Sequence, residues 1–528
     1  MARIRGLALD RTPGLSLARV TLLGALVGTV GGVGAWIFRL MIGFVHDLAF
    51  LGSSSPSYDA NQHTADSPLG VFVALVPVVG SVVVVFLVTR FAPEAKGHGV
   101  PEVMDAVYYR KGQIRPTVAV VKALASAVSI GTGGSVGREG PIVQIGSAFG
   151  STVGQWTRLS VTDTRLLIAA GSAAGIGATF NAPIGGVLFA VELLLVAVSA
   201  RSLLVVAVAV ASGIFVARPL IGSDLAFSVL ELEHVTPLTT NWIEVVGLVI
   251  VGLGVGVVSA VFIRGLYGTE DLFDRRFTNP YLAHATGMLG VGITMVVFHA
   301  WLGYYTVEGV GYATILDVLT GVLTNPWVLL ALVVGKLAVT FLTLGSGASG
   351  GVFSPALFVG AALGGLAGHL AVAAGLAVDP VVMALAGMAA MVSGSTGAVM
   401  TAVVMTTEMT GDYGAAVPLL LASVVALAMR RRLSRTSIYT EKLHRRGKWV
   451  PTGLQAASVD TIRARDLMGE LIEVEDAATV DENESIFAVI DSIGSGPLVV
   501  TREGSAIGVI DGASVERAIA RLESGDQP

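Results

Sequence analysis

The chain has no cysteine among its 528 residues. That absence excludes disulfides, thiolate metal sites and thiol chemistry. Charge is also scarce: Asp, Glu, Lys and Arg make up 13% of the chain, where a soluble domain carries about 25%. Apolar residues take their place, at 53% of the sequence with a mean hydropathy of +0.76. The length would allow several soluble domains, but the long apolar runs point to one large membrane domain. A cleaved leader is not expected. Arg3, Arg5, Arg11 and Arg19 precede an apolar stretch from about Val20 to Phe50, longer than the roughly 7–15 residues of a signal core. It reads as the first retained membrane helix.

A bilayer span needs about 20 apolar residues. Candidates lie near 20–45, 69–91, 200–222, 243–266, 284–303, 326–345, 354–378, 381–409 and 414–429. Between 97 and 195 glycine-rich segments interrupt the pattern, and some pieces look too short to cross. Such broken helices persist at membrane depth only inside protein or beside water. Lys and Arg crowd the first 19 residues and the segment Arg430–Lys448, which predicts cytoplasmic termini and an even number of crossings. Residues 456–528 carry 15 acids and 5 bases, a balance of −10, against +5 for the remainder. The expected organisation is a cytoplasmic segment at 1–19, a membrane domain at 20–436, a linker at 437–457 and a soluble acidic module at 458–528.

The membrane domain repeats itself. Val120–Gly154 lies over Val334–Gly368 without a gap, with eleven of 35 positions identical, including Lys122/Lys336, Ser135/Ser349 and Pro141/Pro355. Gly171–Glu192 lies over Gly387–Glu408, where the final glutamate recurs. Two halves, about 20–222 and 240–430, are therefore expected. If each crosses an odd number of times, they are inverted, with the site where broken helices meet. The predicted fold is an all-α polytopic membrane protein of two inverted repeats, with a small α+β module at its C-terminus.

Three segments share one chemical logic: Gly97-His98-Gly99-Val100-Pro101, Gly137-Arg138-Glu139-Gly140-Pro141 and Gly350-Gly351-Val352-Phe353-Ser354-Pro355. Glycine admits a ligand close to the backbone. Proline suits a first helical turn, where its missing N–H costs nothing. The free N–H groups and positive dipole end of the following helix then favour an anion. Several such ends bind an ion weakly enough to release it. The plain alternative is close helix packing through small residues.

These segments, with Gly97–Glu102 (GHGVPE), Gly345–Pro355 (GSGASGGVFSP) and Phe180–Pro183 (FNAP), resemble the signatures of the CLC chloride channels and chloride/proton exchangers. The likeness runs from about residue 20 to 440. It implies a homodimer with a pore in each subunit. It also implies a gating glutamate at Glu139, whose carboxylate competes with chloride for N–H donors and swings away once protonated. Tyr439 matches the tyrosine whose hydroxyl meets the central ion, and Val352 and Phe353 match residues whose amides do. The implied chloride-binding set is His98, Gly99, Arg138, Gly140, Val352, Phe353 and Tyr439.

Two positions depart from the family's pattern. His98 stands where many members carry a chloride-coordinating serine; it either donates through a ring N–H, adds pH dependence, or points away. Leu193 stands where exchangers usually carry an internal proton-transfer glutamate, which leans the expectation towards a voltage-gated-type chloride channel. The alternative is an antiporter with an altered proton path. Glu192 and Glu408 are intramembrane acids, candidates for function by default, and are expected to act as structural hydrogen-bonding groups. The family's fluoride exporters differ at GREGP, so chloride is the expected ion.

In the tail, Leu498–Val500 and Ala506–Ile510 read as strands and Glu484–Ile493 and Ser514–Leu522 as helices. Together with Ala464–Met468 they resemble one CBS module. The aspartate commonly found for ribose near the last helix is not evident, with Ser514 near that place, which argues against a nucleotide. No cofactor, metal or nucleic acid is expected. The partners expected are chloride, protons, the bilayer and a second copy. Two other classes remain: an intramembrane serine protease built on Gly347-Ala348-Ser349-Gly350 with His369 as base, and a cation-coupled transporter of small organic anions.

Overall fold

The computed structural model describes residues 15–54, 58–223, 225–227, 242–450, 462–471, 477–493, 496–515 and 517–518. Helices make up most of the described part of the membrane domain. The first half contains α1 (Leu17–His46), α2 (Val76–Phe91), α3 (Val100–Tyr108), α4 (Pro116–Gly131), α5 (Glu139–Trp156), α6 (Val161–Phe180), α7 (Pro183–Leu193) and α8 (Ala200–Ile221). The second contains α9 (Trp242–Arg276), α10 (Pro280–Leu302), α11 (Tyr312–Leu319), α12 (Pro326–Ser346), α13 (Phe353–Ala373), α14 (Pro380–Thr396), α15 (Val399–Thr410) and α16 (Ala416–Leu433). A short α17 (Thr440–His444) follows Tyr439. Among the described residues, eight helical segments are long and apolar enough to cross a bilayer. With leucine, valine and phenylalanine exposed along them, the protein is a multi-pass membrane protein.

Local sequence explains the boundaries. Asn279-Pro280, Asn325-Pro326 and Asp379-Pro380 each start a helix. The side chain accepts from the second helical amide at 2.8–2.9 Å, and proline fills the first position. The stretch read near 165–195 breaks where Asn181 takes a left-handed φ of 52° and Pro183 begins α7. The stretch read as one span at 381–409 is in fact two helices. Gly397, at φ 88°, ends α14 before α15 starts, because a left-handed residue closes a helix without steric cost only when it is glycine or, less well, asparagine.

The duplication is visible as reciprocal bonds. Ser126 Oγ meets Ser349 Oγ at 2.8 Å, and their repeat mates Thr340 Oγ1 and Ser135 Oγ meet at 2.9 Å. Gly137 and Gly351 exchange two backbone bonds, 2.8 and 2.6 Å long. Glu192 accepts from the amides of Met400 and Thr401 at the start of α15. Glu408 accepts from Ile184 and Gly185 at the start of α7. A residue that contacts another's mate while its own mate returns the contact is the mark of a two-fold relation; here it relates two inverted halves of one chain. Glycine lets the layers close: a Cβ at Gly146 would strike Gly171 O, and one at Gly360 would strike Gly387 O.

The C-terminal region forms a three-stranded sheet, β1 (Ala478–Asp481), β2 (Leu498–Arg502) and β3 (Ser505–Ile510). β1 and β2 run parallel, and β2 and β3 antiparallel. Helix Ile486–Ile493 makes the crossover. Of the helix expected from Ser514, residues 516 and 519–522 lie outside the described ones, as do residues 451–457 of the expected 437–457 linker.

Candidate functional site

Helices α3, α5 and α13 bring their N-termini to one place. Gly99 precedes α3 with φ 85°, a conformation that glycine alone adopts freely. A Cβ there would approach Gly140 O at 2.9 Å, and one on Gly140 would collide with His98 O. Gly351 lies equally close: its Cβ would come within 2.8 Å of Gly140 N. The strand-like bridges Gly97–Ser349 and Gly137–Gly351 tie the three loops together. First-turn amides have no intrahelical acceptor, so three sets of N–H donors and three positive dipole ends face a shared region.

Buried lysines hold the loops from behind. Lys122 donates its ammonium to Ala95 O and Gly97 O at 3.0 and 2.5 Å. Its repeat mate Lys336 donates to Val307 O, Glu308 O and Gly309 O at 2.9–3.4 Å and lies 4.9 Å over the Phe358 ring. A charge removed from water costs several kcal/mol unless its protons are met; here backbone carbonyls meet them.

Glu139 begins α5 and is buried. Its Oε1 accepts from Ser354 Oγ and, at 3.4 Å, from Tyr312 OH, while Tyr312 OH also lies 3.0 Å from Ser354 Oγ. The gate candidate therefore rests at the N-terminal end of α13, the second half's anion helix. A Cβ on Gly137 or Gly351 would run into its Oε2, so the carboxylate lies against both bridged glycines. Arg138 is stacked between rings, 5.2 Å over Tyr312 and 5.7 Å over Phe180, and faces a cavity of about 130 Å³ lined also by Arg39, Tyr58 and Asn181.

Tyr439 is buried next to His98, with ring centroids 5.7 Å apart. His98 Nε2 lies 3.0 Å from Tyr267 OH. The segment that carries Tyr439 is clamped to α3 by ions. Arg446 forks onto Glu102 at 2.7 and 3.2 Å, Lys442 reaches Glu102 at 3.3 Å, and Lys448 meets Asp105 at 2.6 Å. A larger cavity of about 530 Å³ is lined by Glu102, Arg110, Gln144 and Gln155 among others; a Cβ on Gly99 would lie 3.0 Å from Gln144 Oε1.

The structure thus brings together His98, Gly99, Arg138, Glu139, Gly140, Val352, Phe353 and Tyr439. Sequence reading missed Ser354, Tyr312 and Tyr267. Ser354 lay inside the quoted Gly350–Pro355 motif. Tyr312 opens α11, the repeat mate of α3, and aligning Gly97–Gly99 with Gly309–Gly311 would have found it. Tyr267 sits on α9 in no motif, and nothing in the sequence marks it. Glu192 and Glu408 lie apart, as mutual helix caps. Ser349 Oγ is bonded to Ser126 Oγ and Ala95 O. His369 is sixteen residues into α13 from Phe353, about 24 Å along the helix axis at 1.5 Å per residue, far beyond the reach of a base. Among the described residues no group of His, Asp and Glu could hold a metal.

A membrane protein of two inverted halves whose buried site is a meeting of helix N-termini belongs to the class that passes anions. Residues 80–431 match the family model described as voltage gated chloride channel, and the chain belongs to that family, the CLC proteins. It is 31% identical over 441 residues to the H(+)/Cl(−) exchange transporter ClcA of Vibrio parahaemolyticus serotype O3:K6, covering 81% of this chain and 89% of that one. It is 30% identical over 453 residues to the protein of the same name from Vibrio cholerae O395, covering 83% and 91%. Among solved structures, a slow cyanobacterial Cl−/H+ antiporter matches with TM-score 0.65 and 25% identity, covering 81% of this chain and 98% of that one. A eukaryotic CLC transporter, at 20% identity and TM-score 0.67, shares the fold.

Proposed function

We propose that the protein transports chloride across the cell membrane through the region where α3, α5 and α13 meet, with Glu139 as a protonatable gate. The observation that carries this reading is the Glu139 carboxylate itself, bonded to Ser354 at the start of α13 and pressed against Gly137 and Gly351. An anionic side chain there occupies donors that an anion in transit needs. Protonation removes its charge, weakens its hold and frees the site. His98, Gly99, Arg138, Gly140, Val352, Phe353 and the Tyr439 hydroxyl line the path. Both termini are cytoplasmic, each subunit of a homodimer has its own path, and the C-terminal sheet is part of a CBS-like module. No hydrolytic chemistry takes place.

Leu193 favours passive, channel-type conduction, since it carries no proton where an exchanger's inner acid would stand. A second reading, proton-coupled exchange by another inward route, is favoured by the names of the relatives and by the 530 Å³ cavity that reaches Gln144 beside Gly99. Reconstitution in liposomes separates the two. Under a chloride gradient with an opposing pH gradient, a reversal potential at the chloride value indicates a channel, and a shift with pH indicates exchange. Absence of chloride flux in both the wild type and Glu139→Ala would sink both readings.

A further inference from the structure

We propose that His98 binds the anion only as an imidazolium, so that each anion reaching the inner part of the site brings a proton onto Nδ1. This rests on the chloride reading above.

The inference starts from one hydrogen atom. Tyr267 OH donates to Ile438 O at 2.7 Å, and a phenol has one proton to give. Its contact with His98 Nε2, at 3.0 Å, must then run the other way, with Nε2–H donating. The neutral ring is held in that tautomer, and its Nδ1 carries a lone pair. Nδ1 is buried and has no partner among the described residues, on a side chain that is 3% exposed. The hydroxyl of a serine at this place turns to donate to an anion. The fixed neutral imidazole presents a lone pair instead, and a proton on Nδ1 reverses that.

The surroundings couple the two ions. Lys442 of α17, Lys122 of α4 and Arg446 just beyond α17 are the cations whose charge acts on the ring. Tyr267 of α9 and Tyr439 supply the neighbouring rings. Glu102 of α3 is engaged by Arg446 and Lys442, and Glu139 lies across the site at Ser354. A proton alone on His98 meets three like charges, and an anion alone meets the lone pair. Together they satisfy the cations and Nδ1–H. By linkage, protons raise anion affinity by the factor by which the anion raises proton affinity. The step is balanced: a hydronium ion of the inward solution gives one proton to Nδ1 and becomes water, the anion accepts Nδ1–H, and anion and proton leave in reverse order.

The test is calorimetric titration of the full-length detergent-solubilised protein with sodium chloride, in the Glu139→Gln background, which removes the gate's own titration. Two buffers of different ionisation heat report protons taken up. Affinity should rise about fivefold or more between roughly pH 8 and pH 6, with net proton uptake, and His98→Ser should bind with neither pH slope nor uptake. Tyr267→Phe keeps the histidine but frees the tautomer. It should gain affinity at the alkaline end and lose slope, an outcome that a merely structural role for the ring would not produce. Chloride binding that ignores pH in Glu139→Gln, or an unchanged slope in His98→Ser, overturns this proposal alone. No chloride binding in any variant at any pH overturns the anion-site reading, and this proposal with it.

Discussion

At the scale of single residues, the site works by contested hydrogen bonds. Glu139 Oε1 accepts from Ser354 Oγ; if this carboxylate is the gate proposed above, proton uptake and anion entry favour each other. Chloride flux should therefore rise as pH falls, and Glu139→Ala should give flux that is already high at alkaline pH, with only the shallower slope that His98 supplies, in a liposome efflux assay. Tyr439→Phe removes one O–H donor and little volume. With a net hydrogen-bond worth of about 0.5–1.5 kcal/mol, chloride affinity should weaken roughly two- to tenfold while the protein stays folded; equilibrium binding reads this directly. Most of these residues were legible because a glycine, a proline and one chemical group occur within five positions, and local spacing records that a loop turns into a helix. Tyr267 was not legible. Its role depends on α9 passing behind His98, a contact 169 positions apart, and no local pattern encodes it.

At the scale of elements, α7 and α15 show how intramembrane acids can be structural. Glu192, near the end of α7, accepts from Met400 N at 3.1 Å and Thr401 N at 2.7 Å, and its counterpart Glu408 accepts from Ile184 N at 3.0 Å and Gly185 N at 2.7 Å. Each carboxylate caps the other helix's positive end. The two-fold relation matches the backbone caps, while Glu192 also accepts from Thr401 Oγ1 at 2.6 Å. Glu192→Gln and Glu408→Gln should each lower stability by about 1–3 kcal/mol by the worth of charge-assisted bonds, Glu192→Gln by at least as much as Glu408→Gln, seen as falls in thermal midpoint with the reversal potential unchanged. The repeated glutamate was readable from the sequence, but its partner was not, since an alignment of halves shows which positions correspond and not which of them cross over. Merging α14 and α15 into one apolar run had a related cause: Gly397 is one glycine in a stretch rich in small residues, and only its left-handed φ of 88° separates it from the rest.

At the scale of the whole molecule, neither half contains a complete site. The first supplies Gly97–Gly99 and Glu139, and the second supplies Ser354, Tyr312 and the first turn of α13. Cutting the chain between Ile221 and Trp242 should therefore give two fragments without chloride flux when expressed singly. Co-expressed, they should co-purify and restore efflux from liposomes. The overall architecture was legible because duplication and hydropathy are properties of long stretches. The interdigitation of the halves was not, because inversion leaves no mark on the order of residues.

The reciprocal caps have a consequence for how the protein is made. While the second half is still being synthesised, the amides of Ile184 and Gly185 lack the carboxylate that will receive them, and α7, at 11 residues, is too short to span the bilayer by itself. A backbone donor left bare in lipid costs several kcal/mol. α7 is thus expected to reach its final position only when Glu408 arrives with the second repeat.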